Sequence, residues 1–286
     1  MQYFEPHFLN EALVLLDRFG SSARILAGGT RLGPRLRDGS LSGDALVNLK
    51  RIPDLFDITP TGNVIRIGAL VTAATLAGSD AVAAGAQIVA TAAAGIGARQ
   101  LRNVATIGGN VCSGHPAADL AAALVACDAR CIIASLSDDE RSMPIEQFLR
   151  PGSHALLAGE LLVAIDIPLS TSRSIYRKMQ TRRAFEMAIV AVALHCDFEV
   201  DRVRDIRIAL GGAAPTPIRA SAAELVARGR PIDAQVARDA ARAAAHADAL
   251  PVSDAVASEQ YRRQLVAVLT ERALLEVALE QGLVGG

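Results

Sequence analysis

The hydrophobic pattern of the first fifty residues predicts a small α/β unit. Apolar side chains recur at helical spacing over residues 10–19, and Asn10 is placed to cap this helix. Further along, the pattern predicts a strand at 24–26, a short helix at 31–37 and a strand at 45–49. The loop after residues 24–26 therefore lies where a strand delivers its backbone groups to the edge of a sheet.

Small apolar residues dominate the middle of the chain. The pattern there predicts a strand at 64–67, a helix from residue 72, a closely packed helical segment at 81–98, a helix at 120–126, and strands at 130–134 and 160–167. Gly95 and Gly97 interrupt the segment at 81–98. Because this segment is apolar and poor in flexible polar residues, we interpret it as packed structure and not as a linker.

The order of elements changes after the polar run at 170–174, which we interpret as a boundary between lobes. The predicted elements are strands at 176–179, 188–198 and 203–210, followed by helices at 221–228, 233–247 and 258–282. Strands followed by helices favour an α+β lobe with its helices against one face of a three-stranded antiparallel sheet. The predicted division of the chain is 1–56, 57–170 and 171–286.

Composition and charge narrow the function classes. The 286 residues include 51% hydrophobic and 3% aromatic side chains, and the formal net charge is -1. With both signs interspersed, the chain has no basic footprint for nucleic acid. It has no run of 18 uninterrupted apolar residues, and its first residues lack the pattern of a signal peptide. We therefore expect a cytoplasmic protein without a membrane span.

The four cysteines predict free thiols. Cys112, Cys127, Cys131 and Cys196 form no Cys-x-x-Cys pair and no Cys/His set with zinc spacing. We expect neither a metal site nor an iron–sulfur cluster within this chain.

Two glycine loops carry the candidate chemistry. One is LAGGT at 26–30, and the other is ATIGGN at 105–110, within a polar stretch that ends at Asp119. Adjacent glycines let backbone amides approach a bulky anionic or polyhydroxylated ligand closely. The two loops can thus close on one diphosphate from two sides. Each loop alone also fits an ordinary tight turn, because short glycine motifs often match by chance.

Ordered motifs beyond these loops carry a family resemblance. They are QLRN at 100–103, PAAD at 116–119, Leu162 six residues before Pro168, RKMQTRR at 177–183, RIALGG at 207–212 and YRR at 261–263. With the glycine loops, they make nearly all of the chain resemble the FAD-binding medium subunit of the molybdenum hydroxylases, the xanthine dehydrogenase and carbon monoxide dehydrogenase family. The resemblance implies a two-lobed FAD-binding domain of the PCMH (vanillyl-alcohol oxidase-like) type, followed by an α+β C-terminal domain.

The resemblance also implies a set of FAD-binding residues and their roles. The residues are Leu26, Ala27, Gly28, Gly29, Thr30, Arg31, Leu32, Ile96, Thr106, Ile107, Gly108, Gly109, Asn110, Ser113, Asp119, Leu162 and Lys178. Residues 26–32 and 106–110 would wrap the diphosphate, and Ile96 would lie against the adenine or isoalloxazine end. Asp119 and Ser113 would take ribityl or ribose hydroxyls. Leu162 would flank the flavin, with Lys178 near its polar edge.

Some of these positions have plainer interpretations. Arg31 stands where the family commonly has an acidic residue, so it either contacts phosphate or faces solvent, the commoner situation for arginine. Lys178 fits a solvated lysine on a strand, and Asp119 fits a helix cap. His115 fits a surface or ligand-adjacent histidine, and His195 a core or interface residue. No residue is expected to act as a catalytic nucleophile or base.

The expected function is electron transfer within a molybdenum-containing complex. The resemblance implies a small [2Fe-2S] subunit and a large molybdopterin subunit as partners, in a heterotrimer or its dimer. FAD on this chain would pass electrons from the clusters to an external acceptor, while substrate is oxidised at molybdenum. Two alternatives are a stand-alone FAD-dependent oxidoreductase and a non-catalytic nucleotide-binding module.

Overall fold

The computed structural model describes residues 1–137, 140–152, 155–182 and 187–282. The strands are β1 Gln2–Phe4, β2 Ala23–Leu26, β3 Ala45–Asn48, β4 Ile58–Thr61, β5 Val64–Gly68, β6 Arg130–Ala134, β7 Arg141–Pro144, β8 Leu161–Pro168, β9 Arg173–Met179, β10 Val190–Glu199, β11 Arg202–Gly211 and β12 Ile218–Arg219. The helices are α1 Leu9–Phe19, α2 Leu32–Arg37, α3 Ala73–Ala77, α4 Asp80–Gly85, α5 Gln87–Ala94, α6 Arg99–Arg102, α7 Ile107–Cys112, α8 Asp119–Ala126, α9 Ile145–Leu149, α10 Ser221–Ala227, α11 Ala234–Ala243 and α12 Glu259–Glu280.

The first lobe is a parallel sheet in the order β1-β3-β2, with α1 packed on it. The apolar stripe of α1 buries Leu13 and Leu16 against this sheet. The helix begins after Phe8, and the Glu11 carboxylate accepts hydrogen bonds from the amides of His7 and Phe8. The prediction that Asn10 caps the helix was therefore wrong, because Asn10 already lies within its first turn.

The second lobe is an antiparallel sheet in the order β4-β5-β8-β6-β7. Small-residue helices cover it, and all eight residues of α8 are buried. The single helical segment expected at 81–98 is two helices, α4 and α5, which are separated at Ala86. Ala86 has φ -149° and ψ 51°, which lie outside the helical region.

The third lobe is an antiparallel sheet in the order β12-β11-β10-β9. The three long strands were predicted, and the two-residue β12 adds a fourth at the edge beside β11. The helices α10, α11 and α12 close one core with this sheet, while α8 and α5 of the second lobe also pack against its strands. Among the described residues, no helix is both long enough and apolar enough to cross a membrane.

Arg262, in the YRR motif, anchors α12 to three loop segments of the third lobe. Its side chain is buried, and its Nη1 donates to the carbonyl oxygens of Ile189 at 2.5 Å and Gly212 at 3.2 Å. Its Nη2 donates to Asp254 at 2.6 Å. In the YRR motif, which contributes to the family resemblance, Arg262 therefore has a structural role. Arg183, which ends the motif at 177–183, lies outside the described residues.

Candidate functional site

A cavity of about 690 Å³ opens where the first two lobes meet. Its lining includes both glycine loops, the start of α8 and the start of β8. This volume lies within the range of about 300–1,000 Å³ that is typical of small-molecule and cofactor sites.

The first glycine loop offers unused backbone donors to this cavity. The loop follows β2, and its Gly29 has φ +75°, a conformation that favours glycine. The amides of Gly28, Gly29 and Thr30 donate to no acceptor among the described residues. Consecutive free amides in such a turn suit an anion.

The second glycine loop has a different construction, because it is the first turn of α7. Thr106 caps this helix, and its Oγ1 accepts from the Gly109 amide at 3.1 Å. The amides of Ile107 and Gly108 donate to the carbonyl oxygens of Val71 and Ala69. The expectation that the amides of both loops can approach a ligand was therefore wrong for this one, because the amides of Ile107, Gly108 and Gly109 already bind acceptors within the protein.

At one end of the cavity, the Arg31 guanidinium connects the first glycine loop to the C-terminal end of α7. Arg31 Nη1 donates to the carbonyl oxygen of Ser113 at 3.0 Å. Arg35, one turn further along α2, also lines the cavity, so two cations lie at this end. His115 lies nearby and is half-buried; desolvation, followed by the charge of Arg31, lowers its pKa. Since its Nδ1 accepts from the Ala117 amide at 3.1 Å, the neutral ring carries its hydrogen on Nε2.

A buried carboxylate lies on another wall. Asp119 is 6% exposed and is the first residue of α8, where the helix dipole stabilises negative charge. Its Oδ1 accepts from Lys178 Nζ at 3.0 Å and from the Tyr176 hydroxyl at 2.5 Å. Lys178 Nζ also donates to the carbonyl oxygen of Gly95 at 2.7 Å, at the C-terminal end of α5, where the dipole favours a cation.

Apolar side chains form the remaining walls. Ile96, Leu161 and Leu162 are buried residues of the lining, and Leu101 and Met187 are exposed ones. Aliphatic surfaces of this kind suit the faces of a planar aromatic ring.

Most of the residues that the sequence analysis assigned to FAD binding line this cavity. Those that line it are Ala27, Gly28, Gly29, Thr30, Arg31, Leu32, Ile96, Thr106, Gly108, Gly109, Asn110, Ser113, Asp119 and Leu162. Outside the lining lie Leu26, which belongs to β2, Ile107, which is fully buried in the core, and Lys178, which reaches the lining through Asp119. Arg31 is exposed, and its guanidinium also donates to the Ser113 carbonyl oxygen, just after α7.

Sequence reasoning missed Arg35, which lines the cavity, and also Tyr176 and the Gly95 carbonyl, which contact Asp119 and Lys178. Arg35 follows Arg31 at helical spacing, which is a readable signal. Tyr176 stands two residues before Lys178 on β9, so both side chains lie on one face of the strand. The Gly95 carbonyl gave no signal, because a backbone acceptor shows itself only in the folded chain.

Three of the four free thiols are buried, whereas Cys112, in the cavity lining, is exposed. Burial raises the pKa of the Cys127 and Cys196 thiols to about 12, so both stay protonated at neutral pH. In the described parts of the chain, no group of three or more His, Cys, Asp and Glu side chains is arranged to hold a metal ion.

Comparison with known proteins decides the family. The family described as "FAD binding domain in molybdopterin dehydrogenase" matches residues 1–170, and "CO dehydrogenase flavoprotein C-terminal domain" matches residues 174–277. The chain belongs to the FAD-binding medium subunits of the molybdenum hydroxylases.

Relatives match this medium subunit along nearly their whole length. The glyceraldehyde dehydrogenase medium chain of Sulfolobus acidocaldarius is 32% identical over 277 residues, which cover 96% of this chain and 98% of the relative. The xanthine dehydrogenase FAD-binding subunit of Escherichia coli O157:H7 is 31% identical over 285 residues, covering 98% and 97%. Carbon monoxide dehydrogenase from Hydrogenophaga pseudoflava has a chain that superposes with a TM-score of 0.92 at 30% identity, covering 98% of both chains. The predicted family, fold class and cofactor are confirmed.

The cavity of this medium subunit fits FAD on structural grounds. Free amides and two arginines suit a diphosphate, and the Asp119 carboxylate suits hydroxyl donors. The apolar walls suit the ring systems. The chain is thus an FAD-binding oxidoreductase subunit.

Proposed function

We propose that FAD binds in the 690 Å³ cavity with its diphosphate between residues 28–30 and 106–110. The observation that carries this proposal is the set of unused amides at Gly28, Gly29 and Thr30, beside Arg31. These groups are donors and a cation, the combination that a diphosphate needs.

The second loop would contribute side chains and close contact in place of amides. The Thr106 hydroxyl keeps its hydrogen free to donate, because its oxygen accepts from Gly109. Asn110 Oδ1 is held by the Ala121 amide at 3.2 Å, which leaves its Nδ2 as a donor. Ser113 is held by its neighbours, since its Oγ donates to the Asn110 carbonyl oxygen and accepts from the His115 amide.

Asp119 and Lys178 would bind and orient the polar part of the ligand. Asp119 would accept from hydroxyl groups, and Ile96 and Leu162 would flank ring systems at the apolar walls. Lys178 would bring a positive charge within reach of the ring edge through its contact with Asp119. Bound FAD supplies the electron-carrying chemistry, while these residues bind it, orient it and exclude water.

The role of the chain would be to carry electrons between subunits. Relatives are named as medium chains or FAD-binding subunits of glyceraldehyde, xanthine and carbon monoxide dehydrogenases. We therefore propose that this chain assembles with a small [2Fe-2S] subunit and a large molybdopterin subunit, as a heterotrimer or its dimer. Electrons would pass from the clusters to FAD and on to an external acceptor.

We also infer three structural units, 1–56, 57–170 and 171–286. The first boundary lies between β3 and β4, and the second lies between β8 and β9. A cytoplasmic location suits a chain whose cysteines are free thiols.

Purification of the full chain with an affinity tag from its native cells tests the proposal. We expect one flavin per chain, released by acid as FAD, together with iron, molybdenum and two further chains. Flavin without metals or partners would favour a stand-alone oxidoreductase. A colourless chain that binds adenine nucleotides would favour a nucleotide-binding module.

A further inference from the structure

A buried tyrosine of the third lobe is hydrogen-bonded to the Asp119 carboxylate, which lines the cavity. Tyr176 on β9 is 6% exposed, and its hydroxyl donates to Asp119 Oδ1 at 2.5 Å. The two residues belong to different lobes and are separated by 57 positions. The contact therefore forms only when β9 docks against α8.

The carboxylate meets two donors on one oxygen. Tyr176 and Lys178 both donate to Oδ1, and the described residues give Oδ2 no hydrogen bond. Because Asp119 lines the cavity, Oδ2 is the oxygen left to accept from a ligand. Two fixed donors on one oxygen restrict the rotation of the carboxylate, which is how neighbouring groups orient a binding residue.

We propose that Tyr176 is a positioning residue of the flavin site, which holds Asp119 so that its second oxygen and Lys178 are presented together to FAD. This inference rests on the proposed function of the cavity, and it assigns to the third lobe a part in flavin affinity and potential. It names the hydroxyl of Tyr176, and not its ring, as the group that acts.

The chemistry of the hydroxyl fits this role. Burial, followed by the charge of Asp119, raises the pKa of Tyr176 well above its usual value, so the group stays a donor at working pH. A donor to a carboxylate disperses part of its negative charge. Without the tyrosine hydroxyl, the Asp119 carboxylate would attract Lys178 more strongly, and the electrostatic potential at this wall of the cavity would be more negative.

Two measurable effects follow for Tyr176→Phe in the full chain. Loss of a hydrogen bond to a charged group is expected to raise the Kd for FAD about tenfold. A more negative wall disfavours the addition of electrons, so the midpoint potential of bound FAD should become more negative. Tyr261→Phe is the matched control, because Tyr261 is 43% exposed on α12, away from the cavity lining.

A double-mutant cycle separates positioning from simple packing. The Kd for FAD is measured by titration of the FAD-free wild-type chain, Tyr176→Phe, Asp119→Asn and the double variant, with circular dichroism as the check of fold. If Tyr176 acts through Asp119, the double variant will bind FAD no more weakly than Asp119→Asn alone.

Each result bears on one hypothesis. Additive losses in the cycle, or unchanged Kd and potential in a folded Tyr176→Phe chain, would overturn the positioning role and leave the FAD site intact. If Tyr176→Phe unfolds while Asp119→Asn remains folded, the hydroxyl serves the core, and the inference is again wrong. Absence of FAD binding by the wild-type chain would instead refute the proposed function.

Discussion

The backbone of Gly28 lies so close to Val104 that a Cβ on residue 28 would be 2.0 Å from the Val104 carbonyl oxygen. The first glycine loop thus touches the segment that enters the second. Since no side chain fits between them, the approach of the two loops requires glycine at this position.

Gly28→Ala should therefore separate the loops. We expect the free energy of unfolding to fall by about 1–3 kcal/mol, as for other overpacked sites, and the Kd for FAD to rise. Gly33→Ala is the control, because a Cβ there meets nothing within 4 Å. Urea unfolding of the FAD-free chains and FAD titration measure both effects. Equal stability and affinity in the two variants would show that the loops can move apart without cost.

Arg31 should distinguish ligands with a diphosphate from those without it. Arg31→Gln is expected to raise the Kd for FAD by about 3–10-fold, and to change the Kd for riboflavin little. Arg37→Gln, on the same helix but outside the cavity lining, is the control. Fluorescence titration with both ligands gives the comparison. Equal losses for FAD and riboflavin would mean that Arg31 acts only by holding the first loop against the end of α7.

Lys178 should contribute to the stability of the folded chain. The chain has two lysines, Lys50 and Lys178, of which Lys50 is exposed. Lys178→Met leaves the buried Asp119 with Tyr176 as its one donor from β9, and should lower the free energy of unfolding by about 3 kcal/mol. Lys50→Met should be close to neutral. Urea unfolding tests the difference, and a Lys178→Met chain as stable as Lys50→Met would contradict a structural role for the ion pair.

His195 should make stability depend on pH. It is 4% exposed, and its Nε2 lies 3.1 Å from the Ser170 hydroxyl. Desolvation, followed by the charge of Arg207, lowers its pKa to about 4. The unfolded chain therefore binds this proton more readily, so stability is full above about pH 6.5 and falls as the pH drops towards 4.

The contribution of His195 can be isolated by substitution. Up to about 3 kcal/mol of unfolding free energy should be lost across this window in the wild-type chain. His195→Gln should flatten the dependence, whereas His7→Gln, at an exposed position, should preserve it. Urea unfolding at half-unit steps of pH gives the slopes. Equal slopes in wild type and His195→Gln would place the pH dependence elsewhere.

Local patterns in the sequence predicted those helices, strands and loops whose formation depends mainly on residues close together in the chain. The strand at 24–26, its glycine loop and the helix at 120–126 follow from apolar spacing and glycine placement, and the structure has them within one or two residues. The strand β1 was missed, because three residues with two exposed positions give no alternation to detect.

The sequence pattern could not predict contacts between residues that are far apart in the chain. The amides of Ile107 and Gly108 bind carbonyl groups more than 30 residues earlier, so their use could not be deduced from the glycines themselves. The Tyr176 contact with Asp119 requires the docking of two lobes. Individual residues of the sequence indicated which segments line the cavity. The arrangement of charged groups around it depends on packing between lobes, which the sequence pattern does not show.

A crystal structure of the full chain with FAD bound gives the most direct measurement. We expect density for the diphosphate within hydrogen-bonding distance of the amides of Gly28, Gly29 and Thr30, with a hydroxyl or ring group of FAD on Asp119. Density for FAD at another surface, with the glycine loops free of ligand, would contradict the assignment of this cavity as the flavin site.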